Sequence, residues 1–468
     1  MYNYKSKYLF TATFRADGSS KFRPENRWGY FPAASFAWLA SRETFLKNIK
    51  AISNAKFRVS YGLSGNNRVG DFSYLSTIGY PMTNAYSFQN QTPQLGSWLS
   101  NLGNPALTWE TTAQLDLGAD ISFLKDRISL TVDYYNKDTK DLLLNADIPT
   151  TTGYSKVFRN IGKVQNKGWE FTLSTINIKN ANFSWSSNFN ISFNKNKVLE
   201  LADNQEVFLS RVSWTSTFNG TPLYLTKVGQ PVSQFFGYAF DGVYQYADFN
   251  QMADGSYKLK TGITDNGTDR ESIQPGDVKY KDMNGDMVIN DQDMVVIGRT
   301  LPKHTGGFSN VFQYKSFILS TLLQWSYGND IFNANRVVFE GNEINRNNVN
   351  QFADYQNRWT PTNPSTTIPR ATGFATAFAG YSSYSIEDGS FLRFKTMALG
   401  YTVPASVLKL WKIQSIRAYG SAQNLFTWTK YSGQDPEVNL LNNVLTGGLD
   451  FSSYPKARTI TFGLDITF

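Results

Sequence analysis

The run Asp282-Met283-Asn284-Gly285-Asp286-Met287-Val288-Ile289-Asn290-Asp291-Gln292-Asp293 is where residue type and spacing come nearest to chemistry. Side-chain oxygens fall at the first, third, fifth and twelfth places (Asp282, Asn284, Asp286, Asp293), and the Val288 carbonyl falls at the seventh. That is the ligand spacing of a calcium loop. Hard oxygen donors suit calcium over zinc, and Ile289 fits the apolar eighth place. Against this, Met287 fills the sixth place, where a sharp turn prefers glycine, and the flanks read as strand rather than paired helices. The competing reading is an Asx-rich turn that binds nothing. Calcium here would be structural, stiffening the long segment around it; no other cofactor is required.

Other reactive residue types lead nowhere. His304 is the only histidine. Ser309 is close in sequence, but neither has a nucleophile motif around it, so a satisfied surface or interfacial imidazole is the better reading. Glu387-Asp388 could be imagined as glycosidase carboxylates, yet nothing fixes their separation; a solvated loop is preferred. There is no cysteine, hence no thiol nucleophile, thiolate metal site or disulfide frame. Gly65-Asn66-Asn67 lacks a phosphate-loop pattern. The formal charge of +8 is spread along the chain, without the basic block that binds nucleic acid. No catalytic residue is expected, and the enzyme reading is set aside.

The elements that must position these residues are strands. At Arg458–Phe468, Ile460, Phe462, Leu464, Ile466 and Phe468 alternate with Thr459, Thr461, Gly463, Asp465 and Thr467. A period of two puts the two sets on opposite faces, over about the length a tilted strand needs to cross a bilayer. The pattern recurs. Tyr8, Phe10, Ala12 and Phe14 share one face; Phe57, Val59, Tyr61 and Leu63 share another; so do Ala113–Ile121 and Ile128–Tyr134 in alternation. The clearest case is Asn182–Asn194, with Phe183, Trp185, Phe189, Ile191 and Phe193 opposed to serines and asparagines. Phe391–Tyr401 and Ile416–Trp428 are less regular, and a bulge near Lys395 would restore their phase.

Composition agrees. Mean hydropathy is −0.37 with 41% hydrophobic residues, and no run of eighteen apolar residues occurs, which excludes a helical membrane protein. A barrel is compatible, because alternation hides its apolar face in the average. The 26 Tyr and 35 Phe suit aromatic girdles at two bilayer interfaces. Counted back from Phe468, the connections run long (429–457), shorter (402–414), long (328–388), tight (315–316), very long (195–302), tight (179–181), long (139–164), tight (122–126), long (65–105) and intermediate (41–52). This parity is that of an outer-membrane barrel with short periplasmic turns and long extracellular loops. It predicts about twelve antiparallel spanning strands, with 195–302 as a large external segment. Ser233–Gln245 looks strand-like but falls outside the membrane. The loops' Trp, Tyr and Asn suit sugar or peptide contact, or else small loop cores. Met1–Lys5 carries no secretory signal, so the chain is expected to be the carboxy-terminal part of a longer one.

Several words are specific enough to place the chain. Phe14-Arg15-Ala16-Asp17-Gly18-Ser19-Ser20-Lys21-Phe22, then Asn26-Arg27-Trp28-Gly29-Tyr30-Phe31-Pro32, resemble the SusC/RagA-type TonB-linked outer-membrane proteins. So do Tyr61–Asn66, Asn166–Glu170, Gly276–Tyr280, Gly389–Arg393, Gln423–Thr427 and Tyr454-Pro455 with Arg458-Thr459. The resemblance implies a plugged barrel of about twenty-two strands in the cell outer membrane, importing oligosaccharides or, less often, oligopeptides with energy delivered by TonB. It also implies a SusD-like surface lipoprotein as partner. The plug, TonB box and roughly ten strands would precede Met1. A passive porin, or a barrel that displays adhesive loops, is the alternative.

Overall fold

The computed structural model describes residues 1–468 apart from 81–84, 88, 90–91, 148–149, 155, 202–204, 216–217, 341–349, 372–380, 410–412 and 442. No described helix is long and apolar enough to cross a membrane. The principal sheet has thirteen strands, neighbours in space as in sequence. They are β1 (Tyr2–Tyr4), β2 (Tyr8–Gly18), β3 (Trp28–Leu39), β4 (Ile52–Asn66), β5 (Glu110–Phe123), β6 (Ile128–Lys140), β7 (Lys163–Lys179), β8 (Phe183–Glu200), β9 (His304–Tyr314), β10 (Phe317–Tyr327), β11 (Phe391–Thr402), β12 (Ser415–Thr429) and β13 (Thr459–Thr467). Twelve are long, as the alternation predicts; β1 is a three-residue addition folded back on β2 through Lys5 and Ser6, both left-handed. The Lys7 amide closes this turn on the Tyr4 carbonyl at 3.0 Å, within a three-residue connection Lys5–Lys7.

Connections segregate by end. Those at 5–7, 40–51, 124–127, 180–182, 315–316 and 403–414 are short, and those at 67–109, 141–162, 201–303, 328–390 and 430–458 are long; 19–27 is the one brief member of the second set. Lys395 is indeed the bulge. It is skipped between Leu322↔Thr396 and Leu323↔Phe394, and on its other side Phe394 pairs Phe426 while Thr396 pairs Gln423. Asn424, opposite the bulge, takes a left-handed φ of 53°.

The chain divides into two compact units. In the first, β2–β6 carry the expected faces: Phe14, Tyr30 and Tyr61 are exposed on one, while on the other Arg58 bonds both Asp120 and Asp133. A small core of Phe22, Phe31, Val69, Leu107 and Trp109 closes the long-connection end. There the Trp109 Nε1 donates to the Arg27 carbonyl at 3.0 Å.

In the second unit, β9–β13 continue the alternation, and the long connections fold into a body of short strands. Val207–Val212, Thr221–Lys227, Gln234–Gly237 and Val295–Arg299 form one small sheet. Ile386–Asp388, Asp330–Asn333 and Leu449–Asp450 form another, its last pair parallel. Tyr224, Phe235, Phe332 and Val337 are core between them. Most described aromatics of this unit's long loops are thus packing residues, not exposed contact residues. Tyr238, Tyr244 and Phe249 are buried too.

The apolar face of β8 is not unbroken. Ser187 lies on it and bonds Asn310 Oδ1 at 2.6 Å, the Trp185 Nε1 donates to that oxygen at 3.1 Å, and the Asn177 Nδ2 donates to the Ser187 hydroxyl at 2.8 Å. Polar groups on a lipid-facing surface must be satisfied within the protein, and these satisfy one another. β8 also runs to Glu200, beyond the Asn194 expected from alternation.

Candidate functional site

On the polar face of the second unit, pairing aligns five residues of five adjacent strands: Asn190 with Gly307, Gly307 with Gln324, Gln324 with Arg393, and Arg393 with Thr427. Gly307 leaves a gap in this row. A Cβ there would lie 3.2 Å from the Asn190 Nδ2, so the missing side chain is what lets the Asn190 amide lie over the strand. The gap opens into a cavity of about 530 Å³ lined by Asn190, Thr305, Gln324, Ser326, Phe391 and Glu437, among others.

Arg393 holds one wall of it. Its side chain is 2% exposed and forks between Asp435 Oδ1 at 2.7 Å and Glu437 Oε2 at 2.5 Å, while its Nε donates to the Thr427 hydroxyl at 3.1 Å. Lys456 reaches the same Glu437 oxygen at 2.5 Å. Two cations thus meet two carboxylates, and the connection 430–458 is pinned against β11. Charge-assisted hydrogen bonds from a guanidinium to carboxylates are short and strong. Arg393 carried no assigned role in the sequence; the signal was the acid pair Asp435 and Glu437 in the connection that follows a strand-borne arginine.

Nearby, the buried Asp450 accepts from the Tyr431 hydroxyl. Burial first, then that bond to a carboxylate, pushes the Tyr431 hydroxyl far above its ordinary range. Asp277, in a loop, is raised by burial even though Arg370 bonds it at 2.6 Å.

The loop Asp282–Asp293 is compact. Asp282 accepts from the Gly285 and Met287 amides at 2.6 and 2.8 Å, Asn284 from Asp286 at 3.0 Å, and Asp286 from Val288 at 2.9 Å. Asp293 is fully buried and accepts from the Met283 and Asn290 amides, each at 2.9 Å. Met287 takes the left-handed φ, 70°, that the sixth place demands despite its β-carbon. Burial alone would raise the Asp282 carboxyl, but the Met287 and Gly285 amides with their neighbours outweigh it and hold it below the usual range. The strand Val278–Tyr280 precedes the loop and Val295–Arg299 follows it, as its flanks suggest. Among the described residues, no three His, Cys, Asp or Glu side chains gather around a point that could hold a metal.

His304 is satisfied: its Nδ1 accepts from the Trp325 Nε1 at 3.1 Å, and its ring stacks on Tyr327 at 5.0 Å. Ser309, five residues along the same strand, faces the other way. Glu387 corrects the solvated-loop reading. Its side chain is only 11% exposed, because Asn333 Nδ2 and the Ser432 amide and hydroxyl converge on it at 2.7–3.0 Å. Its neighbour Asp388 is exposed and accepts from the Ser390 amide.

Comparison with known proteins accords with this geometry. Residues 1–425 match the family described as TonB dependent receptor-like, beta-barrel. Over its whole length the chain is 36% identical to the TonB-dependent receptor P3 of Formosa agariphila, covering 44% of that protein. It is 31% identical to the TonB-dependent receptor SusC of Bacteroides thetaiotaomicron, covering 43% of it. The chain therefore spans less than half the length of these curated relatives. In fold it is similar to the RagAB peptide transporter, with a TM-score of 0.79 at 22% identity over 99% of this chain and 46% of that one. With its alternating strands, its polar face and its segregated connections, the chain belongs to the TonB-dependent receptor-like β-barrel family of the outer membrane.

Proposed function

We propose that this chain is the barrel portion of an outer-membrane, TonB-dependent importer of oligosaccharides or oligopeptides, the SusC-like half of a complex with a SusD-like surface lipoprotein. The observation that carries the reading is the likeness of this whole chain to 43% of the SusC relative. A polar, cavity-bearing strand face under folded loops supports it. The protein does no covalent chemistry in this reading. Its polar face and loops bind and orient the ligand, and transport energy arrives through TonB.

The test is uptake in the native host. In-frame deletion of the gene is expected to abolish growth on one class of oligosaccharide or peptide, and deletion of TonB to do the same. Uptake that persists without TonB would replace this reading with the passive pore, and unimpaired growth on every substrate would remove it.

The loop Asp282–Asp293 enters this proposal as a structural calcium site, with Asp282, Asn284, Asp286, Asp293 and the Val288 carbonyl as the ligands. Support comes from the left-handed Met287 and the ligand spacing; binding requires Asp282, Asp286 and Asp293, which do not converge in this structure, to turn toward one point. Calorimetry of the purified protein should register calcium binding at up to about millimolar concentration, as in extracellular modules, and Asp286→Ala should remove it. Absence of heat would end the idea.

A further inference from the structure

We infer that the cavity over Gly307 is a subsite for a neutral sugar residue, an inference that rests on the import reading and narrows its substrate class. The amides of Asn190 and Gln324 flank the side-chain-free position, and neither they nor Thr305 spends its side chain on a hydrogen bond among the described residues. Each amide offers a carbonyl acceptor and an NH2 donor side by side. Hydroxyls on adjacent ring carbons, each both donor and acceptor, complement that pair. Leu322 and Phe391 supply apolar wall for the C–H face of a ring, so the lining is amphipathic in the way a pyranose is.

Charge selects further. Among the described lining residues Glu437 is the only one with a charged side chain, and it is already bound by Arg393 and Lys456. With Asp435 included, two negative charges face two positive ones. A uronate or a peptide carboxylate entering the cavity meets no unspent cation, and an ammonium meets no unspent anion, so burying either would leave its desolvation uncompensated. A neutral hydroxylated ring carries no such penalty. Arg393 is thereby a positioning residue that keeps the cavity neutral without itself lining it.

The experiment uses the full-length protein in detergent, screened against immobilised neutral oligosaccharides, oligouronides, amino-sugar oligosaccharides and short peptides. Retention of a neutral oligosaccharide is expected, weakened about tenfold by Gln324→Ala, the usual scale for one lost hydrogen bond, and at least as much by Gly307→Leu, which fills the gap. Lys456→Gln, at a half-exposed position, should shift retention toward amino sugars, because Asp435 and Glu437 would then share the single Arg393 cation. Heat-modifiable migration on gels verifies that each variant still folds. Neutral binding indifferent to both cavity variants overturns the subsite while import stands. Retention of oligouronides or peptides in place of neutral sugars overturns the ligand class while import stands. Retention of nothing overturns both.

Discussion

Arg58 on β4 bonds Asp133 on β6 at 2.8 Å although β5 runs between them. Pairing explains the reach: Arg58 is opposite Gly118, and Gly118 is opposite Asp133. A Cβ on Gly118 would lie 2.4 Å from the Asp133 Oδ1 and 2.6 Å from the Arg58 Cζ. The guanidinium also holds Asp120 at 2.9 Å, so three strands are tied on one face. Gly118→Leu should therefore destabilise the protein by about 1–3 kcal/mol through overpacking. Asp133→Asn, which leaves the Asp120 contact, should cost about 1 kcal/mol or less because the pair is partly exposed. Urea unfolding of lipid-refolded protein checks both, and a Gly118→Leu variant as stable as the parent contradicts the arrangement.

The same device recurs at Asn190–Gly307–Gln324 with amides in place of charges. In both rows an empty position between two polar side chains sets what the polar face can do. One row is closed by an ion pair and serves stability. The other is left open.

Arg393 and Asp435 make the most buried ion pair described, at 2% and 7% exposure. Arg393→Ala leaves two carboxylates without their shared cation and should cost about 3–5 kcal/mol. Hydrogen exchange should locate the damage in 430–458, the connection that Arg393 pins. Replacing Arg393 and Asp435 together by apolar residues should recover part of the loss. Equal protection of 430–458 in Arg393→Ala and parent would contradict the pinning role.

The bulge makes a backbone prediction. Asn424 has a φ of 53° opposite Lys395, a conformation that asparagine and glycine tolerate and β-branched residues do not. Asn424→Gly keeps the backbone and loses only the Nδ2 bond to the Ala457 carbonyl, about 1 kcal/mol, whereas Asn424→Val should cost about 1–2 kcal/mol more, read as a lower unfolding midpoint. Deleting Lys395 should be far worse, since a one-residue slip turns every later side chain of β11 to the other face.

Asp330, in the loop body, has its carboxyl raised above 3.8 by burial first and by the Asp388 charge, against the Arg299 amide that bonds it. A folded-state value above the unfolded one means that the native protein binds this proton more tightly. Its contribution is most favourable below pH 3.8 and is lost as the pH rises through the raised value. Asp330→Asn should therefore raise the thermal midpoint at neutral pH and give little gain near pH 4. A difference that is flat with pH, or of opposite sign, contradicts this.

Much of the sheet was legible because each strand writes its two faces into its own sequence: Ile460–Phe468, Phe183–Phe193 and the phase break at Lys395 all follow from a period of two. What lay across strands was not. Gly118 and Gly307 carry no mark of their role in the sequence, since that role exists only once register places Arg58 with Asp133, or Asn190 with Gln324. β8 reaches Glu200 because backbone pairing continues past the apolar belt, where Lys195, Asn196 and Lys197 no longer alternate against lipid. Ser187 escaped notice because its partners, Asn177 and Asn310, are remote in sequence. Which loop aromatics contact ligand and which form loop cores was open in the sequence; Tyr238 and Tyr244 are core, because the long connections fold on each other.

The central claim is that hydrocarbon solvates the apolar face. The chain has no cysteine, so single cysteines at successive positions from Ile460 to Thr467 can carry a fluorophore in the membrane-embedded protein, with brominated lipid as quencher. Strong quenching at Ile460, Phe462, Leu464 and Ile466, with weak quenching at Thr461, Gly463, Asp465 and Thr467, is the predicted result. Uniform quenching along the strand, or none at the first four positions, would contradict it.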